Sequence, residues 1–194
     1  MKYCSILLGA CLIMGALGCS QSSEKRPPPP AKLLPGQVRF TGGHDTDRQD
    51  HGRPIALIGP ALGVTPEMFR TSFSGVSPSR TGPPSPFRAR ANKKVLMDAL
   101  GQHGVSNDRL DEVSNFYRYD PGSGELWNYT PAEAKAIVQD GKVTSIEISN
   151  AGAGYTSAPA VTIVGHESIK VRATIEFGTD LSRNGSVTSL TIFD

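Results

Sequence analysis

The chain has 194 residues, with 20 Lys and Arg against 18 Asp and Glu, a formal net charge of +2, and 38% hydrophobic residues. That length suits one domain or two small ones, and so even a charge balance argues against nucleic acid as the main partner. The three cysteines, Cys4, Cys11 and Cys19, all fall in the first 19 residues, so no disulfide is expected in the body of the protein.

Lys2 is followed by an uncharged, mostly apolar stretch from Ser5 to Gly18. A positive start, a short apolar middle and small residues at its end are the marks of a secretion signal. A membrane-spanning helix needs roughly 20 apolar residues, and this run is shorter, so cleavage is expected rather than anchoring by the segment itself. Ala16-Leu17-Gly18-Cys19 resembles the lipobox of bacterial lipoproteins. The resemblance implies cutting before Cys19, a fatty acyl group such as palmitate on that residue, and attachment to the cell envelope. Ser20 in place of Asp after the cysteine implies sorting to the outer membrane in a host that has one. An ordinary signal peptide, cut nearby to leave a soluble protein, is the competing reading.

Residues 19–37 contain Gln, Ser, Lys, Arg and the run Pro27-Pro28-Pro29-Pro30. Consecutive prolines stay extended, so a semi-rigid tether is expected there. Residues 38–120 read as an irregular and helical region. Pro54 to Ile58 is a short apolar run with a buried fate, and Thr65-Pro66-Glu67 predicts a capped helix start that buries Met68, Phe69 and Phe73. Residues 77–92, rich in Ser, Pro, Gly and Arg, predict a loop. A second helix is expected from Asn92 to His103, with Val95, Leu96, Ala99 and Leu100 on one face, ending at Gly104. A third, capped by Ser106, is expected from Asn107 to Arg118 around Leu110, Val113 and Tyr117. From Ser20 to Gly104 there are 12 basic and 6 acidic residues, and from Val105 to Asp194 there are 7 and 12. The basic excess concentrates after Glu67, in Arg70, Arg80, Arg88, Arg90, Lys93 and Lys94, and fits either attraction to an anionic envelope surface or a solvated loop that also pairs with the acidic half.

After Asp120 the periodicity changes from helix to strand, defining a β-repeat module over residues 121–194. Ala134 to Gln139 and Lys142 to Ser149 flank Asp140-Gly141, a dipeptide suited to the positive φ angles of a tight hairpin. Ile169 to Phe177 alternates apolar with polar throughout, as in a strand with one wet face. Residues 140–150 (DGKVTSIEISN) recur 44 residues later as 184–194 (NGSVTSLTIFD). The expected fold class is therefore α+β: a small helical region followed by an antiparallel β module built from a duplicated hairpin unit. Between the copies, Gly152-Ala153-Gly154-Tyr155 leads through Pro159 to Val161 and Ile163. This stretch resembles the GxGYxxxPxVxI β-repeat of secreted and surface-exposed bacterial and phage proteins. More broadly, residues from about Gly42 onward are similar to a group of uncharacterised bacterial exported proteins, which brings no activity with it.

Two clusters offer chemistry. His44, Asp45, Asp47 and His51 supply nitrogen and oxygen donors that a metal-dependent hydrolase would need, although the spacing fails as an EF-hand loop and a polar turn is the commoner fate of such a segment. Tyr117, Tyr119, Trp127 and Tyr129, with Phe116 and the more distant Tyr155, offer aromatic faces for a saccharide or a partner, or else the seam between helices and sheet. No serine-nucleophile elbow, zinc helix or phosphate loop is present, and no cofactor is expected. The sequence thus predicts a membrane-anchored envelope lipoprotein with a non-catalytic structural or binding role. Its expected partners are the membrane, envelope proteins or cell-wall polysaccharide, not nucleic acid. The metal-dependent hydrolase and the saccharide-binding surface module are the alternatives.

Overall fold

The computed structural model describes residues 34–79, 84–120 and 124–193, so the signal segment, Cys19 and the Pro27 to Pro30 run lie outside the described residues. Among the described residues there are four α-helices: α1 (Ile55–Ala61), α2 (Pro66–Phe73), α3 (Pro86–Leu100) and α4 (Asn107–Phe116). Three of them start on a hydroxyl cap. Thr65 Oγ1 accepts the Met68 N–H at 3.1 Å, Ser85 Oγ the Arg88 N–H at 3.3 Å, and Ser106 Oγ the Arg109 N–H at 3.1 Å. Each cap satisfies an amide that has no partner within its helix and contributes about 1 kcal/mol.

The apolar faces meet in one cluster. Leu57 of α1, Phe69 of α2, Leu100 of α3 and Val113 of α4 pack together, and Tyr117 and Trp127 close the cluster toward the strands. Leu57, Leu100 and Val113 retain no solvent exposure, and each buried side chain of that size contributes about 2 kcal/mol.

Among the described residues six strands form two antiparallel sheets. The larger runs in the order β1 (Val38–Thr41), β4 (Ala160–Ile163), β5 (Lys170–Glu176), β6 (Ser186–Phe193), and the smaller pairs β2 (Glu133–Gln139) with β3 (Lys142–Asn150). The sheets are linked along one side by an isolated bridge between Gln37 and Lys135 and on the other by the Val187 N–H donating to the Ala151 carbonyl at 2.9 Å. Between them, Val38, Ala134, Ala136 and Ile163 form one buried group, and Ala132, Tyr155, Ala173 and Val187 another.

The duplication extends to a shared irregularity. In the first hairpin Ile137 faces Ser145 while Val138 faces Val143, leaving Thr144 unpaired; in the second, Thr174 faces Ser189 while Ile175 faces Val187, leaving Thr188 unpaired. These bulges fall at the same repeat position, and both threonine hydroxyls donate across the ladder, Thr144 to Ile137 O at 3.2 Å and Thr188 to Thr174 O at 3.3 Å. A bulge sharpens the local right-handed twist, so both hairpins coil alike. Ala136 opposite Ile146 and Ala173 opposite Leu190 fill matching buried positions.

The turns differ. Asp140 (φ 49°) and Gly141 (φ 75°) close the first hairpin directly, the two left-handed residues of a tight turn. In the second copy, residues 177–183 are inserted ahead of Asn184-Gly185, and Asn184 is carried into the interior, 1% exposed. Its Nδ2 donates to Leu57 O and to the Tyr117 hydroxyl, both at 2.8 Å, and its Oδ1 accepts the Gly178 N–H at 3.0 Å. One side chain thereby joins α1, the end of α4 and the start of β6. Burial pushes the Tyr117 phenol up in pKa, the Asn184 hydrogen bond working the other way.

Three expectations need correction. Residues 86–92 are helical, because Ser85-Pro86 is a cap and first turn like Thr65-Pro66, set in a segment whose Ser, Pro and Gly content signals a loop. The last predicted helix stops at Phe116, two residues short of Arg118, with Tyr117 turned inward. Residues 38–41, placed in the helical region, form an edge strand of the larger sheet; four residues are too few to show an alternation, and their partner lies more than a hundred residues away.

The two copies give a direct comparison. Asn184→Ala is expected to destabilise by about 3 kcal/mol, since it strands a buried carbonyl, hydroxyl and amide, and Tyr117→Phe by about 1 kcal/mol. Asp140→Ala, at the equivalent exposed turn position, costs only the left-handed strain of about 1 kcal/mol. Urea denaturation midpoints of the three variants test that order.

Candidate functional site

Beyond the Gln37–Lys135 bridge, where the Ala136 N–H donates to Gly36 O at 2.9 Å, the strands β1 and β2 part. The gap is a cleft of about 650 Å³, lined by Arg39, Phe40, His44, Leu126, Tyr129 and Glu133. Tyr155 forms its floor. The ring is 2% exposed, and its hydroxyl accepts the Ala132 N–H at 2.9 Å, fixing the parted end of β2.

The loop that delivers Tyr155 depends on glycine. Gly154 has φ 86°, and a Cβ there would lie 2.7 Å from the Tyr129 side chain and 3.0 Å from Asn128 O. Only a residue without a side chain fits that close approach. Trp127 Nε1 donates to the Gly154 carbonyl at 2.8 Å, a fully buried hydrogen bond that pins the loop from beneath.

His44 sits among these rings. Its imidazole stacks on Tyr155 (centroids 5.3 Å apart, planes 26° apart) and meets Tyr129 edge-on at 4.7 Å, with Trp127 at 5.9 Å. Its Nε2 is buried and has no hydrogen-bond partner among the described residues. Burial holds the imidazole pKa below its ordinary value, against the opposing pull of the Asp45 carboxylate and the Gly42 carbonyl. At neutral pH the ring is therefore uncharged and part of an aromatic wall. Tyr129 and Leu126 remain 41% and 42% exposed at the rim, while Arg39, Thr41, Glu133 and Ser149 add polar groups to the lining.

The residues singled out by sequence are divided by the fold. Tyr129 and Tyr155 reach the cleft. Tyr117 is buried against Asn184, and Tyr119 donates its hydroxyl to Gly52 O and meets Trp127 edge-on at 5.6 Å. These two and Trp127 form the seam between helices and sheets. The four metal candidates do not converge. Asp45 accepts the Ser157 hydroxyl at 2.7 Å, Asp47 caps a 3-10 turn through the Gln49 N–H at 3.0 Å, and His51 ends that turn exposed, at φ 50°. Among the described residues no group of three or more His, Cys, Asp or Glu is placed to hold a metal ion. The arrangement offers ring faces with hydrogen-bonding groups around them, a means of stacking and positioning.

Sequence reasoning missed Phe40, Arg39 and Leu126. Phe40 is half-buried in a four-residue strand, and its role appears only once β1 is placed opposite β2.

The lowered imidazole pKa sets a pH dependence. Above pH about 6.5 the ring is neutral in both folded and unfolded chains. As pH falls below that value the unfolded chain takes up the proton first, so stability is lost until the folded pKa is passed. His44→Phe, which keeps a ring in place, is expected to remove this part of the slope between pH 7.5 and 5, whereas His51→Gln leaves it intact; denaturation midpoints across that range decide. No protein-family model, curated protein or solved structure matches the chain.

Proposed function

We propose that this chain is an exported lipoprotein held in the cell envelope by lipid on Cys19, and that it acts as a non-catalytic binding module whose ligand seat is the cleft between β1 and β2. The anchoring half of the reading rests on Lys2, the apolar run to Gly18 and the Leu17-Gly18-Cys19 sequence. The binding half rests on one observation: Tyr129 presents a half-exposed ring, braced by His44, which itself stacks on Tyr155, at the rim of a cleft edged with both apolar and polar groups.

A sugar ring has that same mixed character, with C–H faces that stack on aromatics and hydroxyls that need donors and acceptors. A rigid tyrosine supplies contact area at small entropic cost, and Arg39 and Glu133 add one donor and one acceptor group to the lining. A cell-wall saccharide is therefore the ligand class that best suits the cleft. The hydrolase reading lacks a converging set of metal donors among the described residues.

Two measurements test the halves separately. In cells fed labelled fatty acid, the protein is expected to carry label, and Cys19→Ser is expected to abolish both the label and recovery in the membrane fraction; an unlabelled but still exported protein would refute the anchor. Trp127, the chain's single tryptophan, lies against His44 and reports on the cleft. Soluble cell-wall glycan fragments are expected to change its fluorescence saturably, and Tyr129→Ala to weaken that binding about tenfold. A flat titration would overturn the binding reading.

A further inference from the structure

The first half of α3 touches none of the core that defines the rest of the helix. Every residue from Ser85 to Ala91 is exposed, and burial begins in earnest only at Leu96 and Leu100. Among the exposed residues is Phe87, at 78% the most exposed large apolar side chain of the described residues.

At 3.6 residues per turn, Phe87, Ala91 and Lys94 lie along the side of the helix opposite Leu96 and Leu100. Arg88 and Arg90 flank that stripe, one to each side. Neither arginine has an ion-pair partner among the described residues, whereas Lys93 is bound to Asp111 and Lys94 to Asp98, each at 2.6 Å. No acid occurs between Pro86 and Met97. Cations in the opening turns face the positive end of the helix and weaken it slightly, so the pair is placed against the helix's own preference. An aromatic between two guanidinium groups without ion-pair partners, in a stretch without acids from Pro86 to Met97, is the pattern of an interfacial helix: the ring enters the acyl boundary while the cations hold anionic headgroups.

We infer that the outward face of α3, through Phe87, Arg88 and Arg90, docks on an anionic lipid surface and sets how the protein lies on its membrane. The inference rests on the tethered reading above. From Cys19 to Leu34 the chain reaches at most about 50 Å when extended, and a body of roughly 160 residues has a radius of gyration of about 15 Å. The tether thus leaves every face within reach of the bilayer. Selection of one face falls to charge and apolar contact, and α3 supplies both.

The test uses the chain from Ser20 onward, without signal or lipid, so that its outcome is independent of acylation; the body stays whole because residues 33–194 form a single compact unit. Co-sedimentation is measured with vesicles of phosphatidylglycerol mixed with phosphatidylcholine, and with phosphatidylcholine alone. Binding is expected only to the anionic vesicles, about 30-fold weaker for Arg88→Gln with Arg90→Gln, and reduced by raising salt. Phe87→Ser is expected to lower it further, and Phe87→Trp to show a blue-shifted emission on the same vesicles. Circular dichroism checks that the variants remain folded. Equal binding by wild type and variants, no binding to anionic vesicles, or competition by soluble polyphosphate with no effect of Phe87→Ser would each overturn the proposal. The last outcome would assign the face to a soluble polyanion.

Discussion

The buried amide of Asn184 is the constraint on which the rest of the molecule depends. Helices α1 and α4 meet the second hairpin through a polar contact in which each exposed lone pair or proton has a partner: Leu57 O, the Tyr117 hydroxyl and the Gly178 amide. A buried amide is costly without such partners and directional with them. The apolar cluster around Leu57, Leu100 and Val113 would tolerate many small slips of the helices over the strands. The amide does not, because a slip leaves donors or acceptors without water or partner. Gly185, next in the chain, reinforces this: a Cβ there would sit 2.4 Å from Tyr155 O and 2.7 Å from the Leu57 side chain. The point that aligns helices with sheet is thus also packed against the backbone of the residue that floors the cleft.

From that alignment the cleft follows. Tyr155 is held from one side by the second repeat, through its N–H to Gly185 O at 3.1 Å, and from the other by Ala132 of the first hairpin. The two sheets are kept apart at this end by an aromatic ring rather than joined by a continued ladder, so the gap between β1 and β2 is a built feature. His44 stacks on that ring and meets Tyr129 edge-on.

Much of this was readable beforehand, and the residues show why. The Thr65-Pro66 start, the Asp140-Gly141 turn and the alternation through β5 are local signals, complete within a few residues. The repeat was visible in its second strands, β3 and β6, but not in its first, because residues 177–183 change the spacing between β5 and β6 relative to β2 and β3. Aligned on the bulges, Ala134-Lys135-Ala136 corresponds to Val171-Arg172-Ala173. The start of α3 is not legible because its first turns are exposed all round and bury no apolar face against the core. At the site, the aromatic cluster was legible as a list, but not its division into seam and rim, which depends on partners far away in sequence. His44 reads as a metal ligand because of its acidic neighbours, yet Asp45 is taken by the distant Ser157 hydroxyl and Asp47 by a 3-10 turn, and the imidazole serves as a flat ring.

The bond between Leu57 and Asn184 spans 127 positions, and that distance governs the order of assembly. Closing so wide a loop forfeits chain entropy before any contact repays it, and topologies dominated by such pairings fold slowly. The bond that locks the helical layer to the second hairpin therefore carries a large entropic cost of closure, whereas the helices' own apolar cluster joins residues close in sequence. For a polypeptide that crosses a translocation channel unfolded, as the proposed route requires, that lock can close only after Asn184 has crossed.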